Sequence, residues 1–176
     1  SDKPVAGRGA TATIVPTVPA PVAAYVPAVR TGSYVYTSGQ LPLRDGQLLL
    51  TGKVGGEVSS EEAVECARQC ALNAIAAVKS QVDDLDTVVR VVKATVFIAS
   101  TPDFTGQPAV ANGASELFGA AFGDAGQHAR SAVGVASLPR AAPVEIELVV
   151  EVDWARDVRG PERDPGRWWR RLRCRW

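Results

Sequence analysis

Residues 128–152 read HARSAVGVASLPRAAPVEIELVVEV, and the groups best placed for chemistry stand here. Alternation predicts two β-strands joined by a short turn at Leu138-Pro139. On the first strand Arg130, Ala132 and Gly134 share a face, while Val133 and Val135 take the other. A cation beside two of the smallest side chains leaves open space next to a guanidinium. Paired N–H donors in such a space match the two oxygens of a small carboxylate. The competing reading is a salt bridge or a solvated face, the ordinary use of an arginine on a strand. On the second strand Glu145 and Glu147 share a face opposite Val144, Ile146 and Leu148. Glu145 is thus expected on a strand adjoining that of Arg130. His128 precedes Arg130 closely, and a direct part for it is the minor reading.

The elements that must carry these residues follow from punctuation and period. Residues 1–21, rich in Pro, Gly, Ala and Thr, read as an extended arm. Strands are expected at 26–30 and 33–38 around a Thr31-Gly32 turn, with another short one at 47–50 after Asp45-Gly46. Ser59 and Glu62 form a capping box ahead of a first helix. Val64, Ala67, Ala71, Ile75, Val78 and Val82 recur at three- and four-residue spacing along it. That narrow, alanine-rich stripe calls for close packing on a sheet. The β-branched run 87–98 reads as a long strand and 109–122 as a second helix ended by Gly123 and Gly126. The order is ββ(β)–α–β–α–ββ, which predicts an α+β domain over 22–154: a single mixed sheet with two helices on one face. The opposite sheet face would then be covered by another subunit. The open space beside Arg130 is expected on that second face, away from the helices.

Bulk properties exclude several classes. A chain of 176 residues with 46% apolar and 22% charged residues fits one globular domain. No apolar run approaches a membrane span, and no export signal opens the chain, so a cytoplasmic protein is expected. One histidine and three cysteines offer neither an ordinary metal site nor a disulfide framework. Cys66 and Cys70, four residues apart on the first helix, read as small buried side chains. The formal charge of zero divides unevenly. Residues 155–176 hold eight arginines against three acidic residues, net +5, which leaves the body at net −5. All four tryptophans, Trp154, Trp168, Trp169 and Trp176, also lie in or beside this segment. It reads as a disordered or loosely docked tail with no sustained apolar period. A net acidic body makes nucleic acid an unexpected partner.

Taken together, ARSAVGVASLP and VEIE within 129–147, AAYVPAV at 23–29, YTSGQLP at 36–42 and VANGASELF at 110–118 resemble the RidA/YjgF family of enamine/imine deaminases, in a divergent branch. The resemblance covers about residues 20–153. It implies a chorismate-mutase-like fold, a homotrimer and active sites in clefts between subunits. It implies hydrolysis of 2-aminoacrylate and related 2-imino acids to 2-oxo acids and ammonia, in the manner of a 2-iminobutanoate/2-iminopropanoate deaminase, without metal or organic cofactor. Carried over by position, Arg130 would grip the substrate carboxylate and Glu145 would stand near the attacking water. Tyr25 would close over the pocket, Asn112 would stand near it on the second helix, and the backbone at Gly39 would approach the ligand. Ala132 stands where many members carry cysteine, which points to a different preferred substrate. A small-carboxylate sensor on the same scaffold, or recruitment to a specialised biosynthetic step, are the other functions such a chain would serve.

Overall fold

The computed structural model describes Thr17 and residues 24–157. Most of the expected N-terminal arm and nearly all of the basic tail therefore lie outside the described residues. Strands β1 (Ala28–Thr31) and β2 (Tyr34–Thr37) form a hairpin. Gly32 supplies its turn at φ 55°, a conformation open to glycine at little cost. Strands β3 (Leu43–Arg44) and β4 (Gln47–Leu48) form a separate small hairpin around Asp45-Gly46. Helix α1 (Ser60–Lys79) precedes the long strand β5 (Val88–Ala99), helix α2 (Gln107–Phe122), and strands β6 (Ala129–Val135) and β7 (Val144–Val152). A single helical turn, α3 (Trp154–Asp157), ends the described chain.

The expected α+β architecture, one main mixed sheet with two helices on one face, is present. The sheet order is β1-β2-β7-β5-β6. Strand β6 runs parallel to β5, and the other neighbours are antiparallel. Parallel neighbours need a crossover, which α2 supplies. Strands β6 and β7 are therefore not a hairpin, contrary to the sequence expectation. Their connection contains a 3₁₀ turn at Pro139–Ala141, with Arg140 at φ 58° and Ala141 at φ 59°, and β5 lies between them.

Local chemistry explains α1. Ser59 Oγ accepts from the Glu62 amide at 3.2 Å, and Glu62 Oε2 accepts in turn from the Ser59 amide at 2.9 Å. These contacts hold the Glu62 carboxyl below its usual range. The buried face of α1 is made of Ala63, Cys66, Ala67, Cys70, Ala71, Ala74, Ile75 and Val78, small enough for close approach to the sheet. Both cysteines are buried, as expected. Burial foremost pushes the Cys66 thiol up to about 11 and Cys70 well above its normal value, so neither supplies a thiolate at neutral pH. Helix α1 ends at Lys79, three residues before Val82, while α2 begins two residues earlier than its spacing predicted, with a proline in its first turn.

The core lies between the helices and one sheet face. Val35, Val91, Ala94, Val96, Ile98, Val144, Ile146, Leu148 and Val150 fill it from the strands. The opposite sheet face carries exposed apolar side chains: Val29 is 54% exposed, Tyr36 45% and Val133 42%. No helix among the described residues is long and apolar enough to cross a membrane.

Candidate functional site

Arg130 is placed by β6. Its cross-strand neighbour is Ala94, and those of Ala132 and Gly134 are Val96 and Ile98. All three neighbours belong to the core, so Arg130, Ala132 and Gly134 share the helix-facing side of the sheet. This corrects the expectation that their space opens away from the helices. Alternation groups residues onto a face but does not say which face the helices cover. The small side chains at 132 and 134 make room for α2. A Cβ on Gly134 would come within 3.0 Å of both Gln107 Nε2 and Ser100 Oγ.

The guanidinium reaches α2. Arg130 Nη1 donates to Asn112 Oδ1 at 2.8 Å and Ser115 Oγ at 3.1 Å, and Nη2 donates to the Pro108 carbonyl at 3.3 Å. All three acceptors are neutral, and no carboxylate among the described residues pairs with Arg130. Its charge is thus held in position without being compensated. The Nε–H and one Nη2–H carry no hydrogen bond among the described residues. The structure brings Asn112 directly to Arg130. It also reveals Ser115 and His128, which periodicity did not single out for this role. Ser115 Oγ lies 3.0 Å from His128 Nε2, and His128 Nδ1 lies 2.6 Å from the Gly126 carbonyl. The signal available was Ser115 standing three residues after Asn112, one helical turn along the same face.

Glu145 belongs to a second group. Its neighbours in the strand, Val144 and Ile146, are fully buried toward the helices, so Glu145 points to the opposite sheet face. Gly39 lies against it. A Cβ built on Gly39 would stand 1.8 Å from Glu145 Oε1, so any side chain there must displace the carboxylate. Burial first, and the negative charge of Glu147 second, raise the Glu145 carboxyl above its ordinary pKa. Tyr25, 44% exposed, lies just before β1. Its segment is tied to the stretch holding Gly39: the Ser38 hydroxyl donates to Val26 O at 2.6 Å and the Ser38 amide to Pro27 O at 2.9 Å.

Five expected site residues therefore form two groups in one subunit. Arg130 and Asn112 stand on the helix side at the edge strand. Glu145 and Gly39 stand on the open face, with Tyr25 at the hairpin end tied to Gly39. Strand β5 intervenes, so Glu145 is not on a strand adjoining Arg130, and the two side chains leave the sheet in opposite directions.

Comparison with known proteins agrees with this geometry at the level of fold and family. The family model described as Endoribonuclease L-PSP matches residues 16–152. Protein TCP17 of Trypanosoma cruzi is 44% identical over 140 residues, covering 79% of this chain and 88% of its own. A protein of Dermatophagoides farinae named 2-iminobutanoate/2-iminopropanoate deaminase is 35% identical, covering 78% of this chain and 93% of its own. The crystal structure of Atu1372 from Agrobacterium tumefaciens superposes with a TM-score of 0.73 at 46% identity, covering 76% of this chain and 85% of that one. A match across the whole sheet and both helices, by a family model and by relatives above 30% identity, makes this chain a member of the Endoribonuclease L-PSP family, also called RidA/YjgF.

Proposed function

We propose that this protein hydrolyses 2-imino acids to 2-oxo acids and ammonia at a site shared between two subunits of a trimer. The observation that carries the proposal is the Arg130 guanidinium, held by three neutral oxygens with two N–H groups to spare. A carboxylate on those donors is fixed in orientation, which brings the attached imine carbon to a defined place. Water adds to that carbon, its oxygen to carbon and one proton to nitrogen, to give a carbinolamine. The hydroxyl proton then passes to the amine, the C–N bond breaks as the C=O forms, and ammonia leaves the 2-oxo acid behind. An iminium carbon is already electrophilic, so the protein has only to hold the substrate, place water and move protons.

Glu145 suits the proton task. Its raised pKa brings protonated and ionised forms closer in free energy, which favours a group that takes a proton from water and returns it to nitrogen. Because Glu145 and Arg130 of one subunit face apart, the Glu145 that serves a given Arg130 comes from a neighbouring copy, together with its Gly39 and Tyr25. The exposed apolar face holding Val29, Tyr36 and Val133 supplies the surface for that association.

The test generates imino acids with an amino-acid oxidase and follows imine decay for wild type and Arg130→Ala. Acceleration by wild type that Arg130→Ala loses supports the reading. No acceleration across a broad amino-acid panel, with an active deaminase run alongside, rejects it. A second reading is a carboxylate sensor, favoured by a subunit that carries the grip and the carboxylate on opposite faces. Thermal stabilisation by 2-oxo acids without turnover, abolished by Arg130→Ala, would select it.

A further inference from the structure

Arg130 is one end of a directional chain of hydrogen bonds. A backbone carbonyl only accepts, so the 2.6 Å contact with Gly126 O assigns a hydrogen to His128 Nδ1. In the neutral ring Nε2 is then an acceptor, and the Ser115 hydroxyl at 3.0 Å donates to it. With its hydrogen so committed, Ser115 Oγ turns lone-pair density toward Arg130 Nη1 at 3.1 Å. The far end of the chain is anchored in the fold. The His128 ring stands edge-on to the fully buried Phe118 at 5.4 Å and 88°. Gly126 packs its backbone so closely on α2 that a Cβ there would lie 2.1 Å from Phe118 O. Without the His128 acceptor the hydroxyl hydrogen is free to turn toward Arg130 Nη1, which weakens one of the two acceptors that hold it.

We propose that Ser115 and His128 are positioning residues that fix the orientation of the Arg130 guanidinium for carboxylate binding. The inference rests on the reading of Arg130 as a carboxylate grip. Ser115 and His128 touch no substrate in it; they act through Arg130. Their chain brings no carboxylate to the guanidinium, so it orients Arg130 while leaving its charge uncompensated, which an acidic partner in the same place would not do.

The test uses the full-length assembled protein with 2-oxobutanoate as the probe. Ser115→Ala removes the hydroxyl. His128→Phe keeps a ring against Phe118 and removes the acceptor. Each is expected to raise the Kd for 2-oxobutanoate and the KM for the imine about five- to tenfold, with kcat changed less than about twofold. Ser115→Thr, which keeps the hydroxyl, and His128→Gln, which keeps an acceptor near the Nε2 position, are expected to restore wild-type values. A readout independent of ligand is ¹⁵N NMR of the guanidinium. The two Arg130 Nη signals should be separate in wild type and exchange faster in Ser115→Ala and His128→Phe, because one of the contacts that restrain rotation about Nε–Cζ is weakened. Unchanged Kd and unchanged Nη exchange in both variants overturn the positioning role while leaving the grip intact. If Arg130→Ala itself leaves 2-oxobutanoate binding unchanged, the grip fails, and the positioning role fails with it.

Discussion

A guanidinium held by neutral oxygens keeps its charge uncompensated, and this distinguishes Arg130 from an arginine in a salt bridge. The same residue-scale reasoning applies to Gly39. Its approach to Glu145 leaves no room for a methyl group, yet the atoms that would clash belong to the flexible end of a side chain. Gly39→Ala should therefore cost less than about 1 kcal/mol of stability while displacing the carboxylate. Imine hydrolysis should fall at least about tenfold in kcat with little change in Tm, and parallel melting and turnover measurements check this. The raised pKa of Glu145 gives a further test. A carboxyl whose folded pKa lies above its unfolded value contributes stability while protonated. That contribution is present below the unfolded value, near 4.5, and is lost as pH rises through the folded pKa. Glu145→Gln should abolish this loss, so the variant should gain Tm relative to wild type between acid and neutral pH. A difference that stays flat across that range would contradict the raised pKa. Arg130, Ala132 and Gly134 were legible in the sequence as one face, because period 2 is a local property. Ser115 and His128 were not legible as partners of Arg130, because the bond between them joins a helix to the start of a strand and depends on how α2 docks.

At the scale of elements, helices were the most legible, since their signals lie within a few residues. Ser59 and Glu62 announced the start of α1, and the structure contains both reciprocal bonds. Ser59→Ala should cost about 1 kcal/mol in chemical denaturation. Helix α2 holds a sharper pair of tests. A Cβ on Gly113 would meet Val64 O at 2.4 Å, where α1 and α2 cross, whereas one on Gly119 meets nothing within 4 Å. Gly119→Ala should stabilise the protein by about 0.5–1 kcal/mol through helix propensity. Gly113→Ala makes the same change of propensity and should destabilise by about 1–3 kcal/mol, because the backbone of α1 must move. Equal effects at the two positions in denaturant titrations would show that the crossing is looser than described. Sheet order was less legible than the helices. The placement of β5 between β6 and β7 depends on pairing between segments distant in sequence, which alternation within one strand does not encode.

The whole molecule presents its candidate site residues in two groups on opposite sides of the sheet, with exposed apolar side chains on one of them. Val29, Tyr36 and Val133 on that face are exposed, and under the proposed function a second copy covers them and completes the chemistry. Tyr36→Glu should shift the protein toward monomers in sedimentation and lose imine hydrolysis in parallel; an active monomer would contradict the shared site. The most direct measurement is complementation between subunits. Arg130→Ala and Glu145→Gln are each expected to be nearly inactive alone. After unfolding and refolding of an equimolar mixture, a site built from two copies should recover about one quarter of wild-type activity, because random association pairs an intact Arg130 with an intact Glu145 at about one site in four. Mixed assemblies, verified by mass, that recover no activity would contradict a shared site.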